Sequence, residues 1–263
     1  MEENPYQPPE AELTRDGDGA SGVREGSLER ALAGDYDISV SEILTGAWEG
    51  TRGNKGILLL AVLVLGIVQF GGTFLLTALG LPDGQEAIQA GEFVTGYAQS
   101  LFLGFLLMPV IMPLSAGFSM LVIKRAGGLG AGLEELGAYY GQTLKVLLVG
   151  ILSTVLTYVG FLLFILPGFY LAACYAFALP LMLDKGLSPW QSLEAARKSV
   201  THHWFSVVGA MFVVYILAML LGITIVGIVW ALPMLLIGYA LIYRTIFGFG
   251  AGGNEREAAA AQA

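Results

Sequence analysis

The amino-acid sequence predicts an all-α polytopic membrane protein that crosses a bilayer six times. Apolar residues make up 56% of the 263 residues and charged residues only 13%, whereas soluble domains carry about 25% charged residues. The mean hydropathy of +0.71 favours lipid as the solvent for most of the chain. A six-span arrangement also places all 13 Lys and Arg residues on one side of the membrane, and five or seven spans would divide them.

Six apolar segments are long enough to be these spans. We predict them at Gly56–Leu79, Tyr97–Ile123, Thr143–Ile165, Pro167–Leu183, Phe205–Val229 and Ala231–Phe247. No charged residue occurs from Phe205 to Tyr243. One helix of that length would exceed a hydrocarbon core of about 30 Å nearly twofold. We therefore expect a hairpin turn near Gly227–Pro233.

The distribution of charge predicts the orientation, because Lys and Arg residues flanking spans stay in the cytoplasm. The loop Gly80–Gly96 holds the acids Asp83, Glu86 and Glu92 and no base. The bases fall on the other side, and they are Arg15, Arg24, Arg30, Arg52, Lys55, Lys124, Arg125, Lys145, Lys185, Arg197, Lys198, Arg244 and Arg256. Both termini are therefore predicted to be cytoplasmic.

The two ends of the chain differ from the apolar middle. Residues 1–38 are Pro-rich at the start and then rich in Asp, Glu, Gly and Ser, which predicts a disordered acidic tail. Residues 39–249 would form the six-helix membrane domain, and residues 250–263 a second disordered tail. Residues 1–50 hold 12 acids and 3 bases, so the net charge of −8 belongs to this end. Nucleic-acid binding, which requires clustered bases, is not expected.

Polar connections on the basic side carry helix signals. Ser188–Gln191 offers an N-cap serine, a proline at the first helical position and a capping-box glutamine. Ser39–Glu42 has a similar capping pattern, and Leu133–Tyr140 repeats the theme more weakly. We predict three amphipathic helices at the cytoplasmic-side interface. Each precedes a membrane hairpin, which suggests an internal repeat of interfacial helix and hairpin.

Three stretches of the sequence resemble a broad group of uncharacterised bacterial six-helix inner-membrane proteins. These stretches are Ile43–Trp48, Pro113–Gly117 with Lys124–Gly127, and Leu166–Tyr170 with Tyr175–Pro180 and Ser192–Ser199. The group is similar to the membrane domain associated with some glycerophosphodiester phosphodiesterases. The resemblance covers roughly residues 39–248. It implies a bacterial inner membrane and no catalytic residues, because the enzyme of that family is a separate soluble domain.

Few residues suggest chemistry, and we expect neither an enzyme nor a bound cofactor or metal. The adjacent histidines His202 and His203 have no Cys, carboxylate or third His nearby at ligand spacing, and adjacent helical residues do not face each other. The one cysteine, Cys174, lies in an apolar run and is interpreted as a small buried side chain.

Six residues remain as candidate interior positions. Prolines kink or break helices, and broken helices can line substrate sites in transporters. Polar side chains could face the same interior, and an arginine near the inner end of its span could instead extend to the interface. The candidates are Pro109, Pro113, Ser115, Thr157, Pro180 and Arg244.

Two functions are consistent with this sequence. The first is a non-enzymatic membrane scaffold or assembly protein, embedded in the lipid bilayer and meeting a protein partner from the cytoplasm. The second is a permease or channel for a lipid or small solute, which the prolines and the repeat favour. A continuous polar cavity would distinguish the second from the first.

The orientation predicts the activity of reporter fusions. Alkaline phosphatase requires disulfides that form outside the cytoplasm. The enzyme fused after Asp83 should therefore be active, and the enzyme fused after Lys185 should be inactive. Activities measured in intact cells, normalised to the amount of each fusion, check this prediction, and the reverse pattern would overturn it.

Overall fold

Residues 25–250 are described by the computed structural model, and they form helices and short connections with no β-strand among them. The α-helices of this range are α1 (Leu28–Ala33), α2 (Val40–Ala78), α3 (Gln85–Gln89), α4 (Phe93–Ala126), α5 (Thr143–Leu163), α6 (Ile165–Tyr175), α7 (Ala178–Lys185), α8 (Pro189–His202), α9 (Trp204–Gly222) and α10 (Ile225–Phe247). Two short 3-10 helices lie between α4 and α5, at Leu133–Gly137 and Tyr140–Gln142. The predicted all-α class is confirmed.

Six helical segments of the described residues are long and apolar enough to cross a membrane. They are Val40–Ala78, Phe93–Ala126, Leu133–Leu163, Ile165–Lys185, Trp204–Gly222 and Val226–Phe247. The predicted number of spans is therefore confirmed, and the fold fits a multi-pass membrane protein.

The turn between the last two spans differs from the prediction. It lies at Ile223–Thr224, because Thr224 is extended and its hydroxyl accepts a hydrogen bond from the backbone N–H of Gly227 at 3.0 Å. This cap starts α10 before the predicted turn region. Pro233 is consequently inside α10, which membrane helices tolerate when neighbouring helices pack around them.

Trp230 is also inside α10, and Lys55 from α2 contacts it. The Lys55 ammonium lies 4.8 Å from the centre of the indole ring, a distance suited to a cation–π interaction. Trp230 precedes Arg244 on α10 by about 21 Å at 1.5 Å per residue. Lys55 therefore lies at a different depth along the helices from Arg244, although the sequence analysis placed both bases on the same side of the membrane.

The three predicted interfacial helices have different outcomes. A helix begins at Ser188 as predicted, and this helix, α8, has a full capping box formed by Ser188 and Gln191. Ser39 caps a helix as predicted, but that helix continues through the first span as α2 because no proline interrupts it. The stretch around Leu133–Tyr140 forms the two 3-10 helices. The predicted repeat of interfacial helix and hairpin is thus not reproduced in all three units.

The prolines act differently in α4 and in the fourth span. Pro109 and Pro113 lie inside α4, which stays continuous, so neither proline breaks the helix. Near Pro180 the span does break, between α6 and α7. Proline lacks the N–H that would bond the carbonyl four residues earlier, which is Ala176 O. That carbonyl instead accepts the Tyr239 hydroxyl from α10 at 2.8 Å.

The core of the molecule surrounds the second half of α10. This half packs against α2, α4 and α9, and its apolar side chains, including Ile237 and Leu241, are fully buried. Phe177, at the break in the fourth span, is also fully buried and stacks on Tyr239 with a ring separation of 5.3 Å. The core therefore joins the broken span to α10.

The predicted amino-terminal tail is partly folded. Residues 25–38 contain α1 and contact the helices, so the prediction of disorder is wrong for this part. Ala31 is fully buried, the Tyr36 hydroxyl donates to Ser199 O at 2.8 Å, and the Gly26 N–H donates to Arg244 O at 2.9 Å. This burial and these hydrogen bonds offset the ordering entropy of the segment. Residues 1–24 and 251–263, the rest of the predicted tails, lie outside the described residues.

The contact between Tyr239 and Ala176 predicts that the cost of removing the Tyr239 hydroxyl depends on whether Pro180 is present. Tyr239→Phe leaves Ala176 O without a donor, which costs at most about 1–3 kcal/mol because the contact is partly buried. Pro180→Ala supplies a backbone N–H at the required position, so the same Tyr239→Phe change should cost less in that background. Free energies of unfolding in detergent, measured for a double-mutant cycle, check the difference.

Tyr215→Phe is the matched control for this cycle, because Tyr215 is 54% exposed and its hydroxyl has no hydrogen-bond partner in residues 25–250. It should leave the free energy of unfolding unchanged. Equal costs of Tyr239→Phe in the two backgrounds would contradict the assignment of the tyrosine to the carbonyl that the proline leaves free.

Candidate functional site

Charged side chains gather at the end of the protein where α4, α7 and α10 finish. Each of these helices brings a base from its last turn: Lys124 and Arg125 in α4, Lys185 in α7 and Arg244 in α10. Cations near helix C-termini interact favourably with the exposed carbonyls and the helix dipole. We refer to Arg244, Lys124 and Lys185 with the acids that pair with them as the charged layer.

Arg244 is the most enclosed base of this layer. It is 7% exposed, its guanidinium pairs with the Glu25 carboxylate, and its Nη1 donates to Ile123 O at 3.5 Å. Gly127 leaves space for it, since a Cβ at that position would overlap the guanidinium. Arg244 thus points inward and does not extend to the interface as the sequence allowed. It links α10, the end of α4 and the amino-terminal segment.

A second group joins α7 to α10. The Asp184 carboxylate accepts the Tyr243 hydroxyl at 2.8 Å and lies 3.1 Å from the Lys185 ammonium. Its other oxygen accepts the Gly250 N–H at 3.2 Å. The side chains of Asp184 and Lys185 are only 2% and 7% exposed. Burying both charges is tolerable because they pair and because hydrogen bonds satisfy the remaining oxygen.

A third group joins α4 to the 3-10 helix that follows it. Both oxygens of Glu135 lie 2.9 Å from the Lys124 ammonium, and one also accepts the Tyr139 hydroxyl at 2.9 Å. Gly117 permits the close approach, since a Cβ there would overlap the backbone of Glu135. The three groups pair three bases with three acids and are neutral together, whereas the nearby Arg125 donates to Ala131 O.

The amino-terminal segment 25–38 covers one side of this layer, and both histidines hold it. His202 Nε2 lies 3.2 Å from Leu32 O, and His203 Nε2 lies 3.0 Å from Gly34 O. Gly34 has a positive φ of 75°, a conformation that glycine adopts without strain. Both histidines thus bind backbone carbonyls of the segment.

Tyr36 completes this contact. Burial removes water from around its phenolate and so raises the pKa of Tyr36 to about 12. The neutral hydroxyl is thus retained as the donor to Ser199 O. Beside the segment is a cavity of about 440 Å³ whose polar lining includes Glu25, Asp35 and His203.

Two further cavities are bounded by the spanning helices. One, of about 440 Å³, lies between α4, α9 and α10 and is mostly apolar, with Phe118, Met211 and Leu236 in its walls. The other, of about 400 Å³, lies between α5 and α6 and has the hydroxyls of Thr157 and Tyr175 in its walls. Neither wall contains a charged side chain.

The six predicted candidate positions do not form one site. Pro109 is exposed, Pro113 is buried and Ser115 is partly buried, all three on α4. Pro180 is buried in α7 beside the break, and Arg244 belongs to the charged layer. Thr157 lines the cavity between α5 and α6, and the other five do not contribute to the walls of these three cavities.

Sequence reasoning missed the acids of the charged layer. Glu25 falls in the predicted disordered tail, and the sequence led to no prediction for Glu135 or Asp184. A local signal existed for two of them, because Asp184 is adjacent to Lys185 and Glu135 follows Lys124 by 11 residues. Within residues 25–250 no three His, Cys, Asp or Glu side chains form a group that could hold a metal ion.

No family model matches the chain, and neither a curated protein nor a solved structure matches it. The fold and the charged layer therefore define only a class: an all-helical protein with six candidate membrane spans and a neutral network of ion pairs at one end.

The pair of Glu25 and Arg244 predicts an asymmetric effect on stability. Arg244 cannot lose its charge, so Glu25→Gln leaves a buried cation without its anion. Breaking a fully buried pair costs about 3–5 kcal/mol, and we expect up to about 3 kcal/mol because Glu25 is 30% exposed. In the Arg244→Met background the same change should cost little. Denaturant unfolding in detergent measures each free energy.

Asp35→Asn is the control on the same segment. Asp35 pairs with Arg30 at 3.0 Å, but both side chains are more than half exposed, and such pairs contribute about 0–1 kcal/mol. A loss for Glu25→Gln no greater than that for Asp35→Asn would refute the buried pair.

Proposed function

We propose that this protein is a non-enzymatic scaffold or assembly protein of a bacterial inner membrane, with both termini in the cytoplasm and a protein partner on that side. The proposal rests on one observation: the enclosed charged side chains form ion pairs within the protein. Arg244, Asp184 and Glu135 each pair with another side chain at one end of the helices.

This use of charge argues against an ion-coupled carrier. Ionisable side chains on a transport path face a bundle interior or a water-filled cavity. Here the charged layer joins helix ends, and the two cavities between spanning helices have walls without charge. Beside the apolar cavity, the core around the second half of α10 consists of buried apolar side chains such as Ile237 and Leu241. These features support a structural role for the membrane domain.

The outer side of α8 supports a partner in the cytoplasm. Leu193, Ala196 and Val200 are buried against the protein, while Trp190 on the opposite side is 59% exposed. We place α8 on the cytoplasmic side, where the exposed Trp190 is available as an aromatic anchor for a protein partner. The resemblance to a membrane domain whose enzyme is a separate soluble domain supports the same role.

The apolar cavity between α4, α9 and α10 favours a second candidate, a permease or channel for a lipid or small solute. Its walls carry Phe118, Met211 and Tyr215, which suit an apolar guest. In this alternative the cavity would be a binding site on the path of the transported molecule.

Site-specific photo-crosslinking in native membranes tests the scaffold proposal. A photoreactive amino acid replaces Trp190 in the full chain, and a matched variant carries it at Leu79, which is 72% exposed and lies at the other end of a span. We expect one defined protein adduct, identified by mass spectrometry, from position 190 and none from position 79. Only lipid adducts at both positions would overturn the proposal.

Flux through proteoliposomes tests the alternative. Purified protein should not accelerate the movement of fluorescent lipids or small solutes across the bilayer. Flux that a cavity-filling change such as Met211→Trp abolishes would establish the permease and remove the scaffold proposal.

A further inference from the structure

The surface formed by α5 and α6 carries hydroxyl groups that have no partner within the described chain. Thr154, Thr157 and Tyr158 on α5 and Tyr175 on α6 line the cavity of about 400 Å³ between these helices. None of these four hydroxyls makes a hydrogen bond with another group of residues 25–250, whereas the neighbouring Ser153 hydroxyl donates to Gly150 O at 3.0 Å. The surface is polar and unsatisfied.

Thr154 lies at the middle of the membrane-spanning helix α5, and Thr157 and Tyr158 lie about one turn nearer its end at Leu163. α5 has 21 residues, about 32 Å at 1.5 Å per residue, which is close to the thickness of a hydrocarbon core. Thr154 and Tyr158 are exposed, so a single copy would turn them toward acyl chains. Acyl chains offer no hydrogen bonds, and a polar group left unpaired in hydrocarbon costs free energy.

The chemistry of this surface suits a second copy of the same surface. A hydroxyl both donates and accepts, so two identical hydroxyl surfaces can satisfy each other without any other type of group. A two-fold interface brings the same surface of each copy together. Hydrogen bonds of Ser, Thr and similar residues across helices hold membrane helices together. Tyr158, which is 70% exposed, stands beside the cavity and would enter the cavity of the other copy.

We propose that the protein forms a symmetric homodimer in the membrane through the hydroxyl surface of α5 and α6, with Thr154, Thr157, Tyr158 and Tyr175 bonding across the interface. The contact uses the side of the α5–α6 hairpin that its own chain leaves uncovered. It is independent of the charged layer and of the partner proposed above.

Disulfide cross-linking tests the interface in native membranes. In a Cys174→Ala background, which removes the one native cysteine, Thr154→Cys should give a covalent dimer on mild oxidation. Phe212→Cys is the matched control, because Phe212 is 61% exposed and lies near the middle of α9. It should stay monomeric under the same conditions. Dimers from the control alone, or from neither variant, would overturn the proposal.

A variant that lacks the hydroxyls tests the chemistry. Thr157→Val, Tyr158→Phe and Tyr175→Phe together should raise the dimer dissociation constant at least about tenfold, since interhelical hydrogen bonds average about 0.6 kcal/mol and each change acts in both copies. Energy transfer between labelled copies in lipid vesicles measures the constant. The unfolding of the monomer in detergent should not change, because these hydroxyls have no partner in their own chain.

Two results would contradict the dimer even if the variant folds. One is a dissociation constant equal to that of the unchanged protein. The other is single-step photobleaching at every protein density together with a lipid or small molecule that protects Thr154→Cys from maleimide. The second result would assign the cavity to a ligand.

Discussion

The structure depends on the enclosure of one arginine. Arg244 lies near the end of α10, the helix around which the core is built, and its charge cannot be removed by deprotonation. An anion must therefore be brought to it, and the chain supplies Glu25 from its amino-terminal segment. This requirement explains why residues 25–38 are folded against the helices despite a composition typical of a tail. The end of α4 takes part in the same contact through Ile123 O.

Other polar groups that are shielded from water also require partners from within the protein. Pro180 leaves Ala176 O without its helical donor, and Tyr239 replaces that donor from α10. Asp184 is held by Lys185 and Tyr243. In each case a group that water would satisfy in a soluble protein is satisfied by a neighbouring helix. The helix packing and the polar contacts are thus parts of one arrangement.

This arrangement bears on function because it distinguishes the polar groups that are paired within the protein from those that are available for other contacts. Paired charges at helix ends hold the domain together and provide no binding group for a transported ion. The groups without a partner in residues 25–250 include the hydroxyls at the surface of α5 and α6, and Trp190 on α8 is an exposed aromatic residue. Both are features of contact surfaces. The proposed scaffold, which would meet a second copy within the bilayer and a partner on the proposed cytoplasmic side, would account for both features.

The sequence by itself determined the class, the number of spans, the caps at Ser39 and Ser188 and the close turn between α5 and α6. These features depend on hydropathy and on bonds between residues a few positions apart, which are local properties of the chain. The turn at Thr224 also depends on a local bond, but Gly227 and Pro233 gave a stronger signal and led to a turn being predicted in the wrong place.

Only the tertiary structure decided which groups pair. Glu25 and Arg244 are near opposite ends of the sequence, and Tyr239 is far along the chain from Ala176. Their contacts depend on the direction and register in which the helices pack, and the sum of many weak apolar contacts sets that register. The spacing of residues along the sequence does not reveal this packing register.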